Sequence, residues 1–259
     1  MRIVIKIGTS TLAYATGRLN IRRVEELCRV MCDLKNAGNE IILISSGAIG
    51  MGVGKLGLKS RPEDIPTKQA AAAVGQCELM YTYDKQIGSY NHTVAQILLT
   101  GEDIENEKRC ENFRNTVFRL LELGAFPIVN ENDTVATDEI VIGDNDTLAA
   151  IVAANVGADL LVLLSDIDGL YTKDPHKYPD ATFLSEVSAL TPEILALGEG
   201  KGSELGTGGM KTKLHAAAIA MESGIDMIIA TGSRPSVLYN IADGLPFGTK
   251  FFGRGKETK

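Results

Sequence analysis

The sequence predicts an α/β protein, a three-layer α-β-α sandwich around a central, mostly parallel sheet. Three observations carry this. Short runs rich in Ile, Val and Leu alternate with longer segments of helical period along the whole chain, which is the pattern of strand–helix–strand crossovers. Some of these runs, such as Ala158 to Leu164, are apolar almost throughout, as strands buried on both faces are. Each run of the first two-thirds ends in a polar or glycine turn, where open α/β sheets bind ligands.

Taken in order, Arg2 to Ile7 reads as a first buried strand and Gly8-Thr9-Ser10 as a tight polar turn. Asn20 caps a helix whose Ile21, Val24, Cys28 and Met31 share a face, and Gly38 ends it. Glu40 to Ile44 is a second strand running into Ser45-Ser46-Gly47-Ala48, followed by a glycine-rich segment from Gly50 to Gly57. Pro66 opens an alanine-rich helix to about Ile87, and His92 to Leu99 is a third strand. A charged helix from Glu107 to Leu123 precedes a fourth strand, Phe126 to Val129, which ends in Asn130-Glu131-Asn132-Asp133.

The organising unit lies between Gly143 and Asp166. Asp144, Asn145, Asp146 and Thr147 are all good N-cap types. Leu148, Ile151, Val152 and Val156 recur behind them at helical spacing, Gly157 stops the helix, and the strand to Leu164 delivers Ser165-Asp166. Beyond it come turns around Asp168 and Asp174, a short helix from Thr191-Pro192 to Leu197, and a loop with six glycines from Gly198 to Gly209. A helix from Met210 to Ser223, a strand from Met227 to Ala230, a short helix from Val237 to Ala242 and an edge strand from Gly248 to Phe252 complete the chain. No repeat or linker divides it, so residues 1–259 form one domain.

Composition narrows the function. A net charge of −7 and a pI near 5.1 disfavour a nucleic-acid surface. The opening Met-Arg-Ile-Val-Ile-Lys is a strand and not a signal peptide. The longest apolar stretch, Leu148 to Leu164, contains Asn155 and Asp159, so no membrane span is expected. The four cysteines and three histidines lack the spacing of a zinc site. Buried, reduced thiols in the cytoplasm are the expectation. Gly52-Val-Gly54-Lys-Leu-Gly57 matches the dinucleotide fingerprint, but it does not join a strand directly to a helix. No Walker A loop, calcium loop or nucleophile elbow is present.

Six polar segments remain. Lys6-Ile-Gly8-Thr9-Ser10, Ser45-Ser46-Gly47-Ala48, Asn130-Glu131-Asn132-Asp133 and Ser165-Asp166 each follow a strand, so parallel strands place them on one sheet edge. The fifth is the Gly143 to Thr147 cap. The sixth, Gly206-Thr-Gly-Gly-Met-Lys-Thr-Lys213, runs into a helix with Lys211 and Lys213 near its start. Lysine there opposes the helix dipole and makes sense if a phosphate lies against it.

Five motifs in order resemble the amino acid kinase superfamily, and within it the glutamate-phosphorylating branch that opens proline biosynthesis. They are Lys-x-Gly-Thr-Ser, Ser-Gly-Ala-x-x-x-Gly, Asn-Glu-Asn-Asp-x-Val-Ala-Thr, Gly-Asp-Asn-Asp and Gly-Thr-Gly-Gly-Met-x-Thr-Lys. The resemblance spans residues 3 to 250 and implies the amino acid kinase fold and transfer of ATP's γ-phosphoryl group to the γ-carboxylate of L-glutamate, with Mg2+. It implies that Lys6 and Lys213 touch the transferring phosphate and that Asp146 aligns them. It further implies that Ser46, Gly47, Asp133 and Asn145 hold glutamate. Lys6, Ser165, Asp166, Thr207, Gly208, Gly209, Met210, Lys211, Thr212 and Lys213 would hold ATP, with serine at 165 where the family often has threonine. About 1–150 would serve mainly glutamate and about 151–259 mainly ATP. Also implied are feedback inhibition by proline, through the segment from about Gly124 to Asp144, and a homo-oligomer, dimer or tetramer. Many relatives carry a C-terminal PUA domain; the chain ends about where it would begin, so its absence is expected.

Three alternatives compete. They are a sibling kinase acting on another carboxylate or carbamate, a catalytically silent amino-acid-binding regulator, and a Rossmann oxidoreductase. The presence of Lys6, Asp146 and Lys213 together argues against silence.

Overall fold

The structure, a computed structural model, describes residues 1–14, 18–135, 144–175, 177–199 and 209–255. Among them, eight strands form one sheet: β1 (Arg2–Ile7), β2 (Glu40–Ser45), β3 (Val94–Leu99), β4 (Phe126–Glu131), β5 (Leu160–Ser165), β8 (Glu186–Val187), β9 (Asp226–Thr231) and β10 (Thr249–Phe251). The order is β3-β4-β2-β1-β5-β9-β10-β8. Every pairing is parallel except β9 with β10. Two short strands, β6 (Leu170–Tyr171) and β7 (Phe183–Leu184), pair separately. From β1 the chain moves to one side as far as β3 and then crosses to β5 on the other. The resulting switch point puts the C-terminal ends of β1, β2, β4, β5 and β9 on one edge.

Helices cover both faces. Ile3, Ile5 and Ile7 point to one side, where they pack with Val24, Leu27, Cys28 and Met31 of α2 (Ile21–Asn36) and with Leu79, Tyr83 and Ile87 of α4 (Ile65–Gly88). Val4 points to the other, against α6 (Glu107–Glu122), α7 (Asn145–Val156) and α9 (Met210–Glu222). By the two-residue period of a strand, Lys6 shares Val4's side. A lysine one step from the strand end is thereby aimed at α7 and α9.

Several readings change. The Gly8-Thr9-Ser10 turn is the start of a one-turn helix, α1 (Thr9–Leu12). Ile21, at the first position of α2, is exposed, and Val24, Leu27, Cys28 and Met31 carry the buried face. The Gly50 to Gly57 segment is α3 (Ala48–Leu56), whose glycines are there for packing. A Cβ on Gly52 would sit 1.8 Å from the carbonyl oxygen of Ala71, and one on Gly75 1.7 Å from that of Ala48. The two helices α3 and α4 therefore cross backbone to backbone. A short helix, α5 (Gly101–Glu105), precedes α6 and starts in a capping box between Thr100 and Asp103. Asn130 and Glu131 belong to β4 and do not follow it. The strand read at Gly248 to Phe252 lies inside the edge, with β8 beyond it. Two helices fall as expected, α8 (Pro192–Ala196) and α10 (Val237–Ala242).

All four cysteines are free thiols. Cys28 and Cys32 are buried, and burial pushes the Cys32 thiol up to about 11. Cys77 is exposed and Cys110 half-buried, so core packing accounts for only two of the four. No helix among the described residues is long and apolar enough to cross a membrane.

Candidate active site

Which of four capping-type residues starts α7 decides the rest of the site. Asp144 does so: its side chain accepts from the backbone N–H of Asp146 (2.8 Å) and of Thr147 (2.9 Å), and from the Thr147 hydroxyl (2.9 Å). Asn145 and Asp146 are thereby left to face outward from the helix start. Asp146 is 1% exposed and lies between two lysines. Its Oδ1 is 2.5 Å from Lys6 Nζ and its Oδ2 is 3.0 Å from Lys213 Nζ. The Thr212 hydroxyl is 3.0 Å from the same Oδ2 and 2.8 Å from the Gly209 carbonyl.

Burial by itself would push the Asp146 carboxyl up. The ammonium groups of Lys6 and Lys213, with their hydrogen bonds, more than reverse this and hold it below the usual carboxylate range. It is therefore a fixed anion. Two buried cations share one counter-charge, which leaves a net positive centre at the sheet edge. An incoming anion would complete that arrangement.

Two helix starts flank the centre. α9 begins after Gly209 and α3 after Gly47, and neither has a side-chain cap among the described residues. Their first N–H groups are free to bind anions. Gly47 has φ 101°, a left-handed conformation that disfavours a side chain, and Thr9 leans over it. Lys211, in the same turn as Lys213, is exposed.

Beside α3 the pocket is built from amides and acids. Asn145 Nδ2 donates to the Ser45 carbonyl (3.1 Å), Ser46 Oγ (2.6 Å) and Asn130 Oδ1 (3.1 Å). Asn145 Oδ1 is buried with no partner among the described residues. An acceptor left open in this way fits a cationic donor. Around it stand Glu131, Asp133 and Asp144. Burial first, then the charges of Asp133 and Asp144, push the Glu131 carboxyl up to about 7. Burial also raises that of Asp133, against the pull of the Arg61 guanidinium. An ammonium group entering here would favour the ionised forms of both.

On the far side of the centre, β5 ends in Ser165, buried, whose hydroxyl donates to Asp166 Oδ1 (3.0 Å). The next strand end lies alongside: the N–H of Gly232 donates to the Ser165 carbonyl (2.6 Å), and the Thr231 and Ser233 hydroxyls are 2.8 Å apart.

The structure thus joins Lys6, Asp146, Thr212 and Lys213 directly, and Ser46 with Asn145. Asp133 enters through its neighbours Glu131 and Arg61. Thr207 and Gly208, with most of the loop from Gly198 to Gly209, lie outside the described residues, as do Ala136 to Gly143. Sequence reasoning passed over Arg61 and Gln76, and it placed Asn130 and Glu131 in a motif without giving either a role. Gln76 carried a signal, a polar residue in phase with the buried Ala72, Leu79 and Tyr83 of α4.

Comparison with known proteins settles the relationship. The model of the amino acid kinase family matches residues 1–231. Glutamate 5-kinase of Clostridium perfringens (strain 13 / Type A) is 53% identical over 260 residues, covering 99% of this chain and 97% of that protein. The chain belongs to the amino acid kinase family, in its glutamate 5-kinase group. The glutamate 5-kinase of Listeria monocytogenes (serotype 4a, strain HCC23) is 52% identical, covering 99% of this chain and 94% of its own length. Among solved structures, carbamate kinase from Giardia lamblia bound to AMP-PNP superposes with a TM-score of 0.70 at 16% identity, covering 97% of this chain and 98% of that one. Isopentenyl phosphate kinase from T. acidophilum gives 0.66 at 16% identity, covering 97% and 100%. At such identity these structures establish the fold, the mostly parallel sheet with helices on both sides of the amino acid kinase family.

Proposed function

We propose that this chain transfers the γ-phosphoryl group of ATP to the γ-carboxylate of L-glutamate, giving glutamyl 5-phosphate. The observation that carries the reading is the buried Lys6–Asp146–Lys213 centre between two uncapped helix starts. The acceptor is an anion at neutral pH, so the reaction needs no general base. The obstacle is repulsion between two anions, about 4 kcal/mol for unit charges ~4 Å apart at an effective dielectric of ~20. A lysine on each side of the transferring group offsets a term of that size, and Asp146 keeps the two ammonium groups apart and aimed. Phosphoryl transfer is mainly positioning and charge neutralisation of this kind.

On this reading Lys6, Ser165, Asp166, Thr207 to Thr212 and Lys213 serve ATP, drawn mainly from residues 151–259. Ser46, Gly47, Asp133 and Asn145 serve glutamate, drawn from residues 1–150. The free N–H groups of α3 suit the α-carboxylate, and the open Asn145 Oδ1 with the Asp133 carboxylate suits the α-ammonium. Among the described residues no cluster of three or more His, Cys, Asp or Glu side chains is placed to hold a metal ion. Mg2+ would enter on the phosphates of ATP, where it would neutralise their charge. We place the reaction in the cytoplasm and expect a dimer or tetramer, which light scattering on the purified protein would measure. A hydroxamate assay with ATP, Mg2+ and a panel of acids tests the reading: glutamate should be the preferred acceptor, and preference for another acid or for carbamate would overturn it.

Asp133→Ala should raise the glutamate KM by tenfold or more, since a charged hydrogen-bond partner is worth about 1.5–3 kcal/mol, and leave the ATP KM nearly unchanged. A collapse of ATP affinity with an unaltered glutamate KM would mean that the two ends of the site are reversed.

Proline shares glutamate's α-carboxylate and a cationic amine but has no γ-carboxylate to phosphorylate. It can use the same anchors, Ser46, Asp133 and Asn145, with the segment from about Gly124 to Asp144. Inhibition should therefore be competitive with glutamate. Initial rates over a grid of both ligands check this. A noncompetitive pattern would move the proline site elsewhere, and no inhibition at millimolar proline would remove it.

A further inference from the structure

We propose that Gln76, in the middle of α4, is a positioning residue for the amino-acid end of the site, acting through Asn130 on Asn145. This rests on the assignment of the Asn145 pocket to the α-ammonium of the amino acid.

Three buried amides run in series from α4 to the pocket. Gln76, 8% exposed, accepts at Oε1 from Asn130 Nδ2 (2.8 Å). Asn130, 1% exposed, accepts at Oδ1 from the backbone N–H of Glu131 (2.9 Å) and from Asn145 Nδ2 (3.1 Å). Two backbone groups decide which end of each amide is oxygen. The Glu131 N–H requires Asn130 Oδ1 on its side, which turns Asn130 Nδ2 towards α4. The Ser45 carbonyl requires Asn145 Nδ2, which turns Asn145 Oδ1 away from it to a buried position with no partner among the described residues.

Gln76 closes this series. Asn130 Nδ2 is buried, and the Gln76 carbonyl is its acceptor. Without that acceptor a buried donor is orphaned. Among the described residues, a nearby buried acceptor without a partner is Asn145 Oδ1. Rotation of Asn130 towards it would withdraw Asn130 Oδ1 from Asn145 and from the Glu131 N–H, and would also occupy the acceptor meant for the ligand's ammonium group. Both consequences weaken binding of the amino acid, and neither touches the Lys6–Asp146–Lys213 centre.

α4 also supplies a control. Tyr83, seven residues on and on the same face, places its hydroxyl 2.8 Å from Ser45 Oγ. Tyr83→Phe likewise removes a buried hydrogen bond from α4, but outside the amide series.

The test measures KM and kcat for glutamate and ATP, with thermal unfolding, for wild type, Gln76→Met and Tyr83→Phe. Gln76→Leu replaces Gln76→Met if that variant does not fold. Gln76→Met should raise the glutamate KM about tenfold, with kcat and the ATP KM within about twofold of wild type. Tyr83→Phe should lower Tm by a similar amount with no change in either KM. An unchanged glutamate KM in a folded Gln76 variant, an ATP KM rising in step with it, or an equal glutamate effect in Tyr83→Phe would overturn the inference and leave the glutamate reading standing. A wild-type protein that does not phosphorylate glutamate would overturn that reading, and the inference with it.

Discussion

Lys213→Ala is expected to lower kcat by about 10²-fold or more, the scale on which loss of one donor to a developing charge is felt. The glutamate KM should change little. Lys213 is 5% exposed and reaches Asp146 Oδ2 at 3.0 Å, so its ammonium is held within the positive centre before any ligand arrives. Such a group contributes most where charge accumulates, on the transferring phosphoryl group. Lys211, exposed in the same turn, provides the comparison. Lys211→Ala should affect ATP affinity and its salt dependence more than turnover. Steady-state kinetics on both variants checks this, and near-normal kcat in Lys213→Ala would remove that lysine from the mechanism.

Asp146→Asn is expected to cause the largest loss of stability as well as of activity. Its carboxylate is the shared counter-charge for Lys6 and Lys213, all three being nearly buried. Removing one partner of a buried pair costs about 3–5 kcal/mol. For a chain of this size that corresponds to a Tm lower by on the order of 10 °C. The pH dependence follows from the depressed folded-state pKa of Asp146. A carboxyl held below its unfolded value adds stability that is fully present above the unfolded pKa, about 4, and is lost as pH falls through the folded value. The wild type should therefore lose this contribution only in acid, and Asp146→Asn should lack it at every pH. In the variant a bound ATP analogue supplies anions that the two lysines otherwise lack, so its stabilising effect should exceed that on the wild type. Calorimetric melts with and without analogue, from acid to neutral pH, measure both effects. A variant with the wild-type Tm would show that Asp146 is not the counter-charge.

Much of the architecture was legible because its causes are local. Asn20 caps α2 through a side chain that a sequence displays, and Pro66 stands in the first turn of α4. Gly157 ends α7 in a left-handed conformation. The misread segments have non-local causes. The segment from Gly50 to Gly57 looks like a loop until α3 and α4 are brought together, when Gly52, against Gly75 of α4, turns out to be what lets two backbones meet. Cys77 and Ile21 look as apolar as their buried neighbours, and only the orientation of the helix against the sheet exposes them.

The site divides in the same way. The sequence by itself pointed to the kind of chemistry, since strand-end turns, a glycine loop running into a helix and lysines in motifs that contain no histidine suit the handling of anions without proton abstraction. It also contained Lys6, Asp146 and Lys213, though far apart along the chain. The family resemblance already implied that Asp146 serves both lysines, and the tertiary structure supplies the reason, because β1, α7 and α9 converge on one side of the sheet. Only the tertiary structure decided that Asp144 and not Asp146 caps α7, that Asn145 keeps a buried oxygen without a partner among the described residues, and that Gln76 accepts from Asn130. The physical reason is that hydrogen-bonding side chains have several possible partners along a chain. Burial removes water as an alternative, so packing selects among those partners.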